Sequence, residues 1–229
     1  MIKTIQVEVI SILLITSLLL VLFFFLGQKV KKADVLAKPT MTIAIVLIIH
    51  DFFKSFTEGN MGKKAAVAYA PYVASLGLYL IVSNLSGLLG LTSPTGNYSV
   101  TLSLALITFS FIQITKVKIN GFGGYLKGFF EPYVPFVVMN IFGTISPLIS
   151  MSLRLFGNMT AGAVLMMLFY EFTGFLSNFV PFIGKLNFVG IALAPVFHAY
   201  FDVFSGFIQT FIFISLTTIL VGVEIPQEE

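Results

Sequence analysis

The stretch VISILLITSLLLVLFFFL, residues 9–26, decides the fold class. It runs for eighteen residues without a charge, and a helix of that length rises about 27 Å, close to the hydrocarbon core of about 30 Å. A secretory signal peptide would carry its positive charge ahead of the apolar run and small residues behind it. Here Lys29, Lys31, Lys32 and Lys38 follow the run instead. The stretch reads as an uncleaved first span, with the N-terminus outside and the lysine-bearing end in the cytoplasm.

The composition generalises this reading. Apolar residues make up 57% of the 229 residues and charged residues 10%, against about 25% charged in a soluble domain. Phe alone contributes 26 residues, and the mean hydropathy is +1.00. A water-soluble sphere of this size could not hide so much apolar surface, so a soluble enzyme is excluded. A transmembrane β-barrel would alternate apolar and polar residues, whereas the apolar residues here come in long runs. The chain reads as an all-α integral membrane protein.

Residues 38–64 hold an apolar run too short for a comfortable span, ending in His50, Asp51 and Lys54. The expectation is a helix in or near the cytoplasmic interface, or else a re-entrant segment. Spans are expected over 65–91 and 100–115, joined by the turn TSPTGNYS at 92–99. The glycine-rich NGFGGYLKG at 120–128 is not a phosphate loop, because Lys127 is followed by Gly128 and Phe129 rather than by Ser or Thr opening a helix. It reads as a flexible connection. Two apolar stretches close the chain, 135–172 and 186–224. As continuous helices each would be about 57 Å long, so they must be tilted, bent or broken, with Pro147 and Pro195 as candidate bends. The short linker between them makes them an antiparallel hairpin. The whole chain, 1–229, is thus one membrane domain of about five transmembrane helices plus one interfacial helix, with two long tilted helices last. Ten of the twelve lysines then fall in cytoplasmic loops, leaving Lys3 and Lys185 outside. This asymmetry is the one expected of membrane proteins, and it puts the C-terminus in the cytoplasm.

The chain has no cysteine and two histidines, His50 and His198. Disulfides, thiolate metal sites and cysteine nucleophiles are excluded, and neither a metal site nor a cofactor is expected. The net charge of +3 reflects topology rather than affinity for nucleic acid.

The single arginine, Arg154, lies inside an apolar run. A guanidinium at the centre of a span costs about 2.5 to 3.5 kcal/mol and keeps its charge at any physiological pH. It needs an anion or a watery cavity beside it. The nearest downstream acid on its own helix, Glu171, is about 25 Å away along the axis. Steps of three and four from Arg154 reach Asn140, Thr144, Pro147, Ser150, Asn158, Ala161 and Gly162, a polar and small-residue stripe. A helix-packing face is the plainer reading of that stripe, but it leaves the arginine unexplained. The second long helix carries a matching stripe of His198, Asp202, Ser205 and Gln209. Asp202 is an intramembrane carboxylate, either paired with Arg154 or part of a polar passage opening outward with Glu171 near its mouth. The hairpin favours the passage and puts Gln209, not Asp202, opposite Arg154, within side-chain reach. His198 is either a member of that passage or a plain hydrogen-bonded polar residue.

These residues carry a resemblance. SLRLFGNMTAG at 152–162 is similar to the signature of subunit a of F-type ATP synthases, and QTFIFISLTTIL at 209–220 resembles the last helix of that family. The N-terminal third matches only in character. The resemblance implies a non-catalytic ion-channel and stator subunit in a bacterial plasma membrane, in contact with lipid, a ring of c subunits and peripheral-stalk b subunits. It implies that Arg154 faces the ring carboxylates and separates two half-channels for protons or sodium ions. Asn158 and Gln209 match polar residues around that arginine, and Asp202 matches an outer half-channel position. Ala163 departs from the family, which often has Glu or His there, so the outer path would lean on Asp202, with His198 and Glu171 as candidates. A self-contained secondary transporter using Arg154 as an anion site is the competing reading, although no paired, interrupted halves are visible. An intramembrane hydrolase lacks a nucleophile, base and metal set.

Overall fold

A computed structural model describes residues 7–33, 38–179 and 187–226. The described residues fold as helices: α1 (Val7–Lys31), α2 (Met41–Met61), α3 (Lys63–Leu85), α4 (Tyr98–Gly128), α5 (Val137–Ser177), α6 (Phe188–His198) and α7 (Ser205–Gly222), with a π-helical segment, Ala199–Phe204, joining the last two. Five helical stretches are long and apolar enough to cross a membrane: Val9–Lys31, Lys63–Leu89, Tyr98–Gly128, Val134–Ser177 and Phe188–Gly222. The all-α membrane architecture with five spanning helices stands as the sequence predicts, and α2 is not one of the five. Lys3, Asp34, Lys185, Leu186, Glu228 and Glu229 lie outside the described residues.

One local expectation needs correcting. The glycine-rich segment 120–128 is not a loose connection, because the chain is helical on both sides of a kink at Gly121. Its interruption is confined to Gly121, whose φ of 69° and ψ of 163° break the helix at one residue. Only glycine adopts that backbone without steric cost. The last long stretch is interrupted near its candidate bend, Pro195. Its π-helical segment begins four residues beyond Pro195 and contains Asp202, and a wider turn re-aims the residues it carries.

The bundle is held where α2, α3, α4, α5 and α7 meet. Phe53, Val73, Leu76, Leu80, Ala105, Met151, Leu155, Phe213 and Ile214 form the shared buried cluster. With hydrocarbon on the outside, helices associate through close packing and interhelical hydrogen bonds rather than through hydrophobic exclusion. Both devices are present. A Cβ on Gly77 would stand 2.7 Å from the Phe53 ring, so the missing side chain is what lets α2 settle on α3. On α4 the buried positions Thr101, Ala105, Thr108, Ile112 and Thr115 share one face. From that face the Thr108 hydroxyl meets the Tyr72 hydroxyl at 2.8 Å and the Thr115 hydroxyl meets that of Tyr69 at 2.5 Å. Asn60 of α2 donates to Thr218 of α7 at 3.0 Å.

Candidate functional site

α5 and the α6–α7 run form an antiparallel pair whose register can be read from its contacts. The Asn158 amide donates to the Ser205 hydroxyl at 2.8 Å. One turn along, Gly162 packs against Phe201. Four residues forward on one helix match four back on the other, and the same register extended toward α7 brings Gln209 level with Arg154.

Level does not mean joined. Arg154 is exposed on the surface of the chain, and its described contact is a long 3.4 Å hydrogen bond from Nη2 to the Ser150 hydroxyl. Gln209 is only 4% exposed, and its amide nitrogen is buried without a partner. The two side chains share no hydrogen bond. Asp202 is not paired with Arg154 either. Its carboxylate meets Nδ1 of His198 at 2.5 Å, and Nε2 of the same ring meets the Tyr170 hydroxyl at 2.8 Å. Glu171 is exposed and takes no part in this chain of contacts.

Two cavities flank the arginine along α5. One, of about 610 Å³, is lined by Asn140, Thr144 and Pro147 together with Gln113, Lys116 and Glu224. The Lys116 ammonium and Glu224 carboxylate form an ion pair at 3.1 Å there. The other, of about 370 Å³, is lined by Asn158, Asp202, Asn84, Ser93 and Thr160 among others. The first cavity takes its α5 residues from Met139 to Pro147 and the second from Asn158 to Ala163. The intervening turns, which carry Arg154, line neither. On their inner side Met151 and Leu155 are buried against Phe213 and Leu80, an apolar plug between the two cavities. His198, Glu171 and Gln209 line neither of these two cavities.

The structure adds residues that sequence reading passed over. Asn84, 2% exposed, donates to the Gly206 carbonyl at 3.1 Å and to the Thr210 hydroxyl at 3.2 Å, and accepts from the Thr95 hydroxyl at 2.7 Å. This ties α3 and the loop before α4 to α7 at the wall of the second cavity. A lone Asn in an apolar run was its available signal. Tyr170 has no such signal, because a tyrosine among phenylalanines reads as packing. Among the described residues no group of three or more His, Asp or Glu could hold a metal ion.

Comparison with known proteins shows the family of the chain. The family model described as ATP synthase A chain matches residues 9–222. The ATP synthase subunit a of Mycoplasma genitalium is 33% identical over 226 residues, covering 92% of this chain and 76% of that protein. The proteins of the same name from Desulforamulus reducens and Streptococcus gordonii are 32% and 31% identical, covering 89% and 95% of this chain and 73% and 92% of their own lengths. With nearly its whole length matched, both long helices of the hairpin included, the chain belongs to the ATP synthase A chain family.

Proposed function

We propose that this chain is subunit a of an F-type ATP synthase in a bacterial membrane, and that it carries ions to and from the carboxylates of a rotating c-ring through two half-channels separated by Arg154. The observation that carries the reading is the pair of cavities, each with polar groups in its lining, that lie on either side of Arg154 along α5, with an apolar plug and the arginine between them. The cavity at Glu224 and Lys116 is the cytoplasmic half-channel and the cavity at Asp202 and Asn158 the outer one. The N-terminus is then outside and the C-terminus cytoplasmic, which sets Lys29, Lys31, Lys63, Lys64, Lys116 and Lys127 on the cytoplasmic side. The segment around α2 runs from the cytoplasmic end of α7 into the core at Phe53, and b subunits attach the assembly to its stalk.

The mechanism follows from charge. A ring carboxylate cannot travel charged through lipid, and it loses its ion only where a fixed positive partner stabilises the charged form. Arg154, exposed on the chain surface, offers a planar fork of donors to such a carboxylate. Gln209 stands level with it on α7, and Asn158 one turn further out on α5. An ion released into one cavity cannot reach the other through the plug, so it must travel round with the ring. The membrane potential drives it by about 2.3 kcal/mol per charge per 100 mV. Arg154→Ala is expected to abolish ion-driven ATP synthesis in vesicles while the complex still assembles, and Arg154→Lys to fail as well, because an ammonium lacks the fork. Coupled synthesis retained by Arg154→Ala would remove the arginine from the mechanism.

A further inference from the structure

We propose that Tyr170, His198 and Asp202 form a proton relay into the outer cavity, in which Tyr170 is a positioning residue that fixes the ring form of His198, so that the ion loaded by this route is a proton. The proposal rests on the half-channel reading above.

The three groups touch in sequence. The Tyr170 hydroxyl lies 2.8 Å from Nε2 of His198, and Nδ1 of that ring lies 2.5 Å from the Asp202 carboxylate. They also climb the hairpin in order. Asp202 is seven residues from Gln209, His198 eleven from it, and Tyr170 sixteen from Arg154, or about 10, 16 and 24 Å along the helix axes from the level of the arginine. Half the hydrocarbon core is about 15 Å, so the chain of contacts reaches from the membrane interior toward the interface, where tyrosine is the favoured residue. Asp202 delivers into the cavity shared with Asn158. The register at this level is fixed by packing beside the relay: Phe169 stacks on Phe197 with ring centres 4.3 Å apart, and Asn187 donates to the Tyr170 carbonyl at 3.3 Å.

The partners determine the ring form. An ionised carboxylate only accepts hydrogen bonds, so Nδ1 of His198 carries the hydrogen and Nε2 is left with a lone pair that accepts the Tyr170 O–H. A proton arriving from outside enters at Nε2 through the tyrosine hydroxyl, which takes one proton from water as it gives one up. The imidazolium then releases its Nδ1 proton to Asp202. One proton has entered and one has left, and Asp202 is a neutral acid facing the cavity. When Asp202 has passed its proton on, Nε2 gives its proton to water and Nδ1 takes one up from water, which restores the Nδ1–H form that the Tyr170 hydroxyl again selects. A sodium ion has no counterpart to this hop through an imidazole.

With His50 replaced by Gln, His198 is the chain's remaining histidine, so nitrogen NMR of the histidine-labelled full chain in lipid bilayers reads its ring alone. The expected spectrum has Nδ1 protonated and Nε2 bare, and Tyr170→Phe should displace the Nε2 resonance and mix the two ring forms. In vesicles of the whole complex, Tyr170→Phe should slow proton-driven ATP synthesis roughly five- to tenfold, the scale of one lost hydrogen bond on the path. The wild type should synthesise at full rate without sodium. A ring protonated only at Nε2, a spectrum unmoved by Tyr170→Phe, or synthesis that requires sodium would each overturn the relay. Two failures remain distinguishable. Normal synthesis with Asp202→Asn sinks the half-channel reading itself. Slow synthesis with Asp202→Asn beside a wild-type rate in Tyr170→Phe sinks the relay alone.

Discussion

Replacing Asn84 by Ala removes the polar knot that closes one wall of the outer cavity, and the loss can be worked from its contacts. The side chain makes three hydrogen bonds: to the Gly206 carbonyl at 3.1 Å, to the Thr210 hydroxyl at 3.2 Å and from the Thr95 hydroxyl at 2.7 Å. None of the three partners is orphaned when it goes. Thr210 still donates to the Gly206 carbonyl at 2.9 Å, and Thr95 still meets the Ser93 hydroxyl at 2.8 Å. The full penalty of stranded polar groups therefore does not apply. Hydrogen bonds between membrane helices average about 0.6 kcal/mol each, so three give a loss of about 2 kcal/mol. Thr95→Val removes one of the same bonds and should cost about 0.6 kcal/mol. Because the two residues share a bond, the double variant should cost less than the sum of the singles. The measurement is reversible unfolding of the full chain in mixed micelles. An Asn84→Ala loss below about 0.5 kcal/mol, under one average interhelical bond, or strict additivity with Thr95→Val, would refute the reasoning.

Three further outcomes are expected. Gly222→Ala would drive a methyl group into the Asn60 carbonyl, forcing α2 and α7 apart at a cost of about 1 to 3 kcal/mol, read as a lower midpoint in the same unfolding assay. Gly121→Ala puts a Cβ at a φ of 69° and should destabilise the end of α4 by about 1 kcal/mol or more, visible as faster amide exchange over 116–128. Glu224→Gln breaks the partly exposed 3.1 Å pair with Lys116 and should cost at most about 1 kcal/mol, while slowing ion release into the cytoplasmic cavity, seen in vesicle synthesis rates.

How much of this could be read from residues alone divides along a physical line. Span number and the closing hairpin follow from hydropathy, because lipid forces the backbone of a spanning segment into a helix whatever its neighbours are. The isolation of Arg154 is equally legible, since one arginine in an apolar run stands out on cost alone. What escapes is whatever depends on a second helix. The π-helical segment around Asp202 has no composition of its own, and the stripe of His198, Asp202, Ser205 and Gln209 was drawn on a regular helix that the wider turn interrupts. Gln209, which the register extends to the level of Arg154, is buried while the arginine is exposed, and sequence spacing cannot separate level from direction. The threonines of α4 repeat every seven residues, a pattern visible in sequence, but their tyrosine partners on α3 come only from packing. The glycine-rich segment read as loose because glycine permits disorder. It is used instead at one residue, Gly121, where a single backbone angle is needed.

The position of Arg154 on the outside of the hairpin is itself a functional constraint. The described carboxylates that line the two cavities are engaged within the chain, Asp202 with His198 and Glu224 with Lys116. Glu171 is seventeen residues away along α5. The guanidinium is thus held in hydrocarbon by a helix that supplies it with only the hydroxyl of Ser150. A charge so placed costs about 3 kcal/mol, and in the proposed mechanism that cost is relieved when a carboxylate from another subunit arrives and ionises. Because 1.4 kcal/mol is about tenfold in an equilibrium, relief of about 3 kcal/mol shifts the arriving acid toward its charged form by roughly a hundredfold. An arginine satisfied by Asp202 or Gln209 inside the bundle would have spent that bias before the partner came. In the proposed mechanism the unmet charge and the apolar plug behind it act together: the plug denies ions a passage through the chain, and the exposed guanidinium holds the partner's carboxylate in its charged form between the two cavities.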